Sequence, residues 1–394
     1  MKVSNFDELL PINGMKLGTA FAGILDVDHR PDVVVIEIGN TSNTAALFTS
    51  SSFKAPPVIV SKNKISRKKP KYIIINTGIA NSGTGDKGIS DACHICDCIA
   101  ELMGVDSDSV LACSTGRVGE CLPVPKILAA IPEALSSLSV DGWEKAASGI
   151  LTIDSGPKGV SKKISFDHEV TITGIVKGSG MIKPNMATML SFVATDACID
   201  DELLNYALKK VVNETFNQIT IDRDMSTNDS VFLIATGRSG SVIDEGNFHV
   251  FYESLLFIFQ ELALAVVKDP IEAEHIIEVS VFNALSDEEA KKLANEVAES
   301  LSVKTAISNK KPYWGYMLVA LGHLEITDFD TKLVNIWING CHVVKDGAAN
   351  KLFSKISDNV FDEFLEIRID VARGRSVRKV LSNDVLHHAH HRSI

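Results

Sequence analysis

A threonine can serve as a nucleophile when the chain around it strains the preceding peptide bond. One stretch of this sequence is built that way. Lys177-Gly178-Ser179-Gly180-Met181-Ile182-Lys183-Pro184-Asn185-Met186-Ala187-Thr188-Met189-Leu190 sets glycines and a proline ahead of a threonine that opens an apolar run. Glycine reaches backbone angles that other residues avoid, and proline fixes a bend and removes a donor. In such a turn the Thr188 hydroxyl can attack the Ala187 carbonyl in an N→O acyl shift, turning the amide into a hydrolysable ester. Hydrolysis would leave Thr188 as a new N-terminus whose own amine serves as base for its hydroxyl. The bare residues fit equally a plain Gly-rich connection with a half-buried threonine, which is the commoner use of such a pattern.

Other polar groupings carry weaker chemistry. Cys93-His94-Ile95-Cys96-Asp97-Cys98 invites a metal reading. However, Cys93 and Cys96 fall one turn apart in an expected helix, and no second CxxC or His pair stands at finger-like spacing, so buried or half-buried thiols are expected and no metal. His387-His388-Ala389-His390-His391 reads as a solvated tail. The Gly-rich 76–88 segment has neither GxxxxGK[ST] nor GxGxxG, so no nucleotide site is expected. Asp222, Asp224 and Asp229 fail EF-hand spacing and read as acceptors for loop amides.

The elements that must position Thr188 read as a mixture. Strands are expected at Val33–Ile38, Pro57–Val60, Tyr72–Ile75, Val110–Cys113, Val170–Ile175, over the apolar run after Thr188, and at Gln218–Ile221, Val231–Ala235, Val334–Asn339 and Phe364–Asp370, with another starting at Ile276. Helices are expected over Ile89–Met103, after Leu122–Pro125, and over Asp201–Asn213, 248–267, Asp287–Leu301 and Tyr316–Leu321, with a loop running to Trp314. Strands and helices mix without a strict βαβ rhythm. The expected fold is therefore α/β or α+β, a layered sandwich of mixed sheets and helices rather than a doubly wound sheet.

Bulk properties narrow the function classes. The 394 residues are 45% hydrophobic and 23% charged, with a net charge of −11, which argues against nucleic-acid or anionic-membrane partners. The N-terminus lacks the basic-then-apolar layout of a signal peptide. The most apolar window, Val250–Val267, is interrupted by Glu253, Gln260 and Glu261 and reads as a buried amphipathic helix rather than a membrane span. Seven cysteines suit free thiols in a reducing cytoplasm.

Several blocks resemble one family, the ornithine acetyltransferases or bifunctional glutamate N-acetyltransferases of the cyclic arginine pathway. They are NTGIANSGTG at 76–85, ACSTGRVGE at 112–120, LTIDSGPK at 151–158, KGSGMIKPNMATMLSFVATDA at 177–197, TFNQITIDRDMSTNDS at 215–230, VKTAI at 303–307 and PYWG at 312–315. Their order and spacing agree with the family across most of the chain. The resemblance implies an N-terminal-nucleophile-like, autoprocessed acyltransferase that cleaves itself at Ala187–Thr188. Residues 1–187 would form an α chain and 188–394 a β chain, assembled as an α2β2 heterotetramer. It further implies that Thr188 carries an acetyl group from N-acetylornithine to glutamate. Thr115 and Gly116 would stabilise the oxyanion, with Thr152, Lys177 and Thr188 contacting substrate. No cofactor is implied, although some members take acetyl-CoA as the acyl donor.

The departures from the family pattern gather on the acceptor side. A glutamate that meets the acceptor amine in the family falls on Ile271, with Glu272 one place along and Glu274 near by. The chain ends VLHHAHHRSI, without the family's tail asparagine; only Ser393 echoes its terminal hydroxyl residue. Ile153 replaces a threonine, Arg223 and Met225 replace a glycine and a threonine, and Tyr313 replaces an asparagine. This leaves open a paralogue acting on another N-acyl amino acid or specialised metabolite, a hydrolase on the same machinery, or a non-catalytic relative.

Overall fold

A computed structural model describes residues 9–25, 30–183, 189–270, 273–310, 314–351 and 362–384. The chain divides into two compact units. The larger comprises the described residues to Asn217 and Met225–Val266, and the smaller comprises Gln218–Asp224 and those from Val267 on.

The strands of the larger unit are β1 (Met15–Ala20), β2 (Val33–Ile38), β3 (Asn43–Phe48), β4 (Tyr72–Ile79), β5 (Val110–Arg117), β6 (Lys158–Ser165), β7 (Glu169–Lys177), β8 (Leu190–Thr195), β9 (Cys198–Ile199), β10 (Ser230–Ala235) and β11 (Val242–Ile243). Its helices are α1 (Pro56–Ile65), α2 (Gly85–Met103), α3 (Val124–Ser136), α4 (Trp143–Gly149), α5 (Asp201–Glu214) and α6 (Phe248–Lys268). Among the described residues these strands form one sheet ordered β1-β2-β4-β5, another ordered β3-β10-β8-β7-β6, and the short pair β11-β9.

Alternation along the strands builds the layers, because successive side chains point to opposite faces. Val34 and Ile36 of β2 join Ile73, Ile75 and Leu111 in a core shared with Ile175, Leu190, Phe192, Phe232 and Ile234 of the second sheet. Val33 and Val35 face the other way and pack with Ile95 and Ile99 of α2 and Ile127 and Ile131 of α3. On the far side of the second sheet a Cβ on Gly174 of β7 would lie 2.9 Å from Leu262 and 3.4 Å from Ile258 of α6. Helix–sheet–sheet–helix layers result, as the mixed sequence pattern predicts.

Helix α6 is apolar enough and long enough to cross a membrane by composition, with mean hydropathy 1.8 over its best window, yet 56% of that window is buried in the protein. Its buried face (Phe251, Leu255, Ile258, Phe259, Leu262, Val266) alternates with exposed Glu253, Gln260 and Glu261. That is the amphipathic core helix read from the sequence.

The smaller unit contains β12 (Ile276–Ala284), α7 (Asp287–Ala298), α8 (Leu301–Ser308), α9 (Gly315–Leu321), β13 (Asn335–Ile338), β14 (Cys341–Lys345), β15 (Ala348–Ala349), β16 (Phe364–Asp370) and β17 (Ser376–Asn383). The strands form a sheet ordered β15-β14-β13-β16-β12-β17. One face, including Val279, Val281, Ile336, Ile367 and Ile369, packs against Leu293, Val297, Ile307 and Met317 of the helices.

Three expectations change. Pro57–Val60 is not a strand but lies in α1, where prolines at the first helical positions supply the preset φ that a helix start accepts. Gln218–Ile221 is not a strand either: a 3₁₀ turn at Phe216–Gln218 is followed by a single bridge from Ile219 to Leu381. The helix expected to run to Leu301 breaks after Ala298, and Ser300 caps α8 by accepting from Val303 N–H, so helix replaces much of the expected loop.

Candidate active site

The parallel strands β4 and β5 pair Gly78 with Gly116 at their carboxyl ends. Both glycines have positive φ, 111° and 129°, and a Cβ on Gly116 would stand 2.1 Å from the Gly78 carbonyl carbon. Only glycine fits there, and that close approach sets the direction of Thr115 immediately before it. Asn228 reinforces the strand ends, donating from Nδ2 to Ala80 O at 2.6 Å and Ser114 O at 2.9 Å. The Ser114 hydroxyl in turn donates to Asn76 Oδ1 at 2.6 Å.

Lys177 ends β7, and its register partner across the antiparallel pair is Leu190 at the start of β8. From there the Lys177 ammonium donates to Thr115 Oγ1 at 3.1 Å and to Thr152 Oγ1 at 3.0 Å. Three of the residues singled out from sequence therefore converge from β5, the turn before β6, and β7. Gly116 lies beside them.

Asp154 anchors this cluster from behind. Its Oδ1 accepts from Lys158 Nζ at 2.8 Å and from Gly178 N–H at 2.7 Å, and its Oδ2 accepts from Thr152 N–H at 3.0 Å. The Asp154 and Lys158 side chains are both 0% exposed. Burial pushes the Asp154 carboxyl up, but the charges of Lys158 and Lys177 and the hydrogen bonds from Lys158 and Thr152 outweigh it, holding it well below the usual carboxylate range. The Arg30 guanidinium reaches Thr152 O at 3.3 Å. Burial lowers its pKa, while Asp154 and Asp32 work in the opposite direction.

Ala187 and Thr188 lie outside the described residues, as do Ile271, Glu272, Tyr313 and the His-rich tail with Ser393. Met189, the residue after Thr188, is buried, and its carbonyl accepts from Ser230 N–H of β10 at 3.0 Å. In the smaller unit, Glu274 is exposed and paired with Lys310 at 3.3 Å.

Reading the sequence passed over Asp154, Lys158 and Asn228. The signal for the first two was present: opposite charges four apart, set in a turn of small residues, Asp154-Ser155-Gly156-Pro157-Lys158. The cysteines take up no such role. Cys96 is buried and its thiol is pushed up to about 12 by that burial, and burial pushes Cys113 up as well. Among the described residues no group of three or more His, Cys, Asp or Glu is placed to hold a metal ion.

The fold and this cluster define a layered α/β protein with an ammonium and two hydroxyls gathered where strands of its two main sheets end. A family model described as the ArgJ family matches residues 16–389. The arginine biosynthesis bifunctional protein ArgJ of Methylococcus capsulatus is 41% identical over 383 residues, 96% of this chain and 93% of that protein. The protein of the same description from Pseudomonas syringae pv. tomato is 37% identical over 386 residues, 96% of this chain and 95% of that protein. Among solved structures, the arginine biosynthesis bifunctional protein of Bacillus halodurans matches at 30% identity with a TM-score of 0.47, covering 50% of this chain and 95% of that one. The chain belongs to the ArgJ family.

Proposed function

We propose that this ArgJ-family acetyltransferase of arginine biosynthesis cleaves itself between Ala187 and Thr188 and then moves an acetyl group from N-acetylornithine to glutamate through an ester on Thr188. The observation that carries the reading is the convergence of Thr115, Thr152 and Lys177, with Lys177 in register with Leu190, two residues beyond Thr188. In the first half-reaction the Thr188 oxygen bonds to the acetyl carbon, the C–N bond to ornithine breaks, and the hydroxyl proton passes through the Thr188 amine to the leaving amine. In the second half the glutamate amine bonds to the acetyl carbon, the ester C–O bond breaks, and a proton returns to Thr188. Thr115 and Gly116 stabilise the alkoxide formed in each half, and Thr152 and Lys177 contribute polar groups for substrate.

Self-cleavage is compatible with a lasting fold. β3, β6 and β7 precede the scissile bond and β8 and β10 follow it, all in one hydrogen-bonded sheet. The α chain 1–187 and β chain 188–394 would remain knitted together, and we assign an α2β2 assembly in the cytoplasm. Acetyl-CoA is an alternative acyl donor, and no cofactor enters the steps.

A second reading, transfer to or hydrolysis with a different acceptor, is favoured by one feature: Ile271 stands where the family has the glutamate for the acceptor amine, and an isoleucine offers no acceptor. Glu272, next in the sequence, is the carboxylate we put forward to take over that contact. Intact mass spectrometry of purified protein, with and without N-acetylornithine, tests both readings. Two fragments split at Thr188 and an acetyl adduct on the second are expected. Thr188→Ala should give a single uncut chain with no transfer, and a cut or active variant would refute the nucleophile. An adduct that water discharges faster than glutamate does would favour the second reading.

A further inference from the structure

We propose that the open face of β16 in the smaller unit binds a free dibasic α-amino acid, one that carries an α-carboxylate, an α-ammonium and a cationic side chain. None of the residues involved belongs to the candidate active site.

The face follows from strand alternation. Leu365, Ile367 and Ile369 of β16 pack in the core under the helices, so Glu366, Arg368 and Asp370 point the other way. Charges of sign minus, plus, minus therefore follow one another at steps of about 7 Å along the strand. Among the described residues neither Glu366 nor Arg368 has an ion-pair partner, although Glu278 on the next strand is paired with Lys379 at 3.3 Å. The Arg368 guanidinium lies 4.9 Å over the Phe282 ring, and its register partner on β13 is Trp337. With Asn283, Gly340 and Asp370 these residues line a groove of about 460 Å³, the size of a small-molecule site rather than of a protein interface.

The walls are held by bonds of their own. Trp337 stacks on His342 with ring centres 4.4 Å apart and 17° between planes, and His342 Nε2 lies 3.0 Å from Asn335 Oδ1. Asp370 accepts from Asn283 Nδ2 and from Ala372 N–H, each at 2.9 Å. The Asn283 carbonyl in turn accepts from the N–H groups of Arg373 and Gly374 at 2.7 Å. A carboxylate so oriented keeps lone pairs for a further donor. Groups fixed in advance reduce the ordering that binding must oppose.

The order of charges selects the ligand. An α-carboxylate suits the planar fork of Arg368, and the α-ammonium beside it suits Asp370. An alkyl stem can then lie against the Trp337 indole and bring a side-chain cation to Glu366. A dicarboxylate or a phosphate would set its extra negative charge against Glu366 or Asp370, which disfavours both.

The test is a titration of the full chain with L-arginine as probe, read by tryptophan fluorescence. The sequence has three tryptophans, Trp143, Trp314 and Trp337. A saturable change with a midpoint at or below about 1 mM is expected, and Trp337→Phe should abolish it. Arg368→Gln and Asp370→Asn should each weaken binding roughly tenfold. L-Norleucine, which lacks the side-chain cation, should bind several-fold more weakly than L-arginine, and Glu366→Gln should remove that difference. No saturable change up to about 10 mM, a signal that survives Trp337→Phe, or unchanged affinity in Arg368→Gln would overturn the proposal. A preference for L-arginine that persists in Glu366→Gln would overturn the dibasic assignment. So would a ligand-free Arg368→Gln protein that sediments as a smaller species, since the face would then join copies of the chain. If Asp370→Asn does not fold, Arg368→Gln and Glu366→Gln decide. Binding is read without turnover, so failure of the acyl-transfer reading and failure of this proposal are separate results.

Discussion

Asp154 in the larger unit and Asp384 in the smaller are both buried carboxylates facing a nitrogen base, at 2.8 Å from Lys158 and 2.7 Å from His275. Their surroundings differ. Asp384 Oδ1 accepts from the N–H groups of Glu274 and His275 at 3.0 Å each, fastening the end of β17 to the chain that enters β12. Near by, Lys304 donates to Ile221 O at 2.6 Å, and Glu299 accepts from the Thr220 hydroxyl at 2.8 Å and pairs with Arg223 at 3.0 Å. These bonds tie chain segments to one another. The Asp154 bonds lead instead, through Thr152 and the backbone beside Lys177, to the ammonium that donates to the Thr115 hydroxyl. Buried charge ties chain segments together in the one place and reaches residues of the proposed site in the other, and what the bonds end on tells them apart.

The largest expected effect falls on the first cluster. Asp154→Ala strands the Lys158 ammonium in the core and should remove about 3–5 kcal/mol of stability, measured by urea unfolding of the unprocessed chain. Asp384→Ala removes the acceptor of two backbone N–H groups; a smaller loss of about 1–3 kcal/mol is expected with less than a twofold change in kcat. If Asp384→Ala is the costlier for kcat, the division of labour between the two clusters is wrong.

A further effect is one of pH. Burial lowers the Lys304 pKa to about 8, although Asp222, Asp384 and Glu299 oppose it. Between about 8 and the ordinary lysine value the unfolded chain holds a proton that the folded protein has released. Stability should therefore rise with pH across that window, and the contribution is absent below it. Lys304→Met should flatten that rise in melting temperature between pH 8 and 10, and an unchanged slope would mean that Lys304 keeps its proton in the fold. Asp154 has the same sign of dependence, displaced into the acid range. Its folded pKa lies below the unfolded one, so its contribution is complete above the ordinary carboxylate range and fades as pH falls through it.

Much of the fold was legible because period-two and helical patterns report burial directly. Val33–Ile38, Phe364–Asp370 and the start of α5 at Asp201 agree with the sequence reading. The failures came where local signals competed. The β-branched run after Pro56-Pro57 suggested a strand, but the prolines start a helix that packs beside β5. The edge strands β3 and β6 lack a run of β-branched residues to mark them in the sequence, and pairing with β10 and β7 makes them strands.

By itself the sequence singled out the candidates for the proposed site: a threonine behind a Gly/Pro turn, the Ser114-Thr115-Gly116 step, Thr152, Lys177, and Ile271 in the proposed acceptor segment. The α/β character and the core face of α6 were also written in its periodicity. Only the tertiary structure decided that Thr115 and Thr152 both accept from one ammonium, since they reach it from separate strands and turns whose approach depends on sheet packing. It alone showed Asp154 and Lys158 to be buried partners. Two charges four residues apart look the same in a sequence whether water screens them or the core encloses them, and burial is what turns such a pair into an anchor.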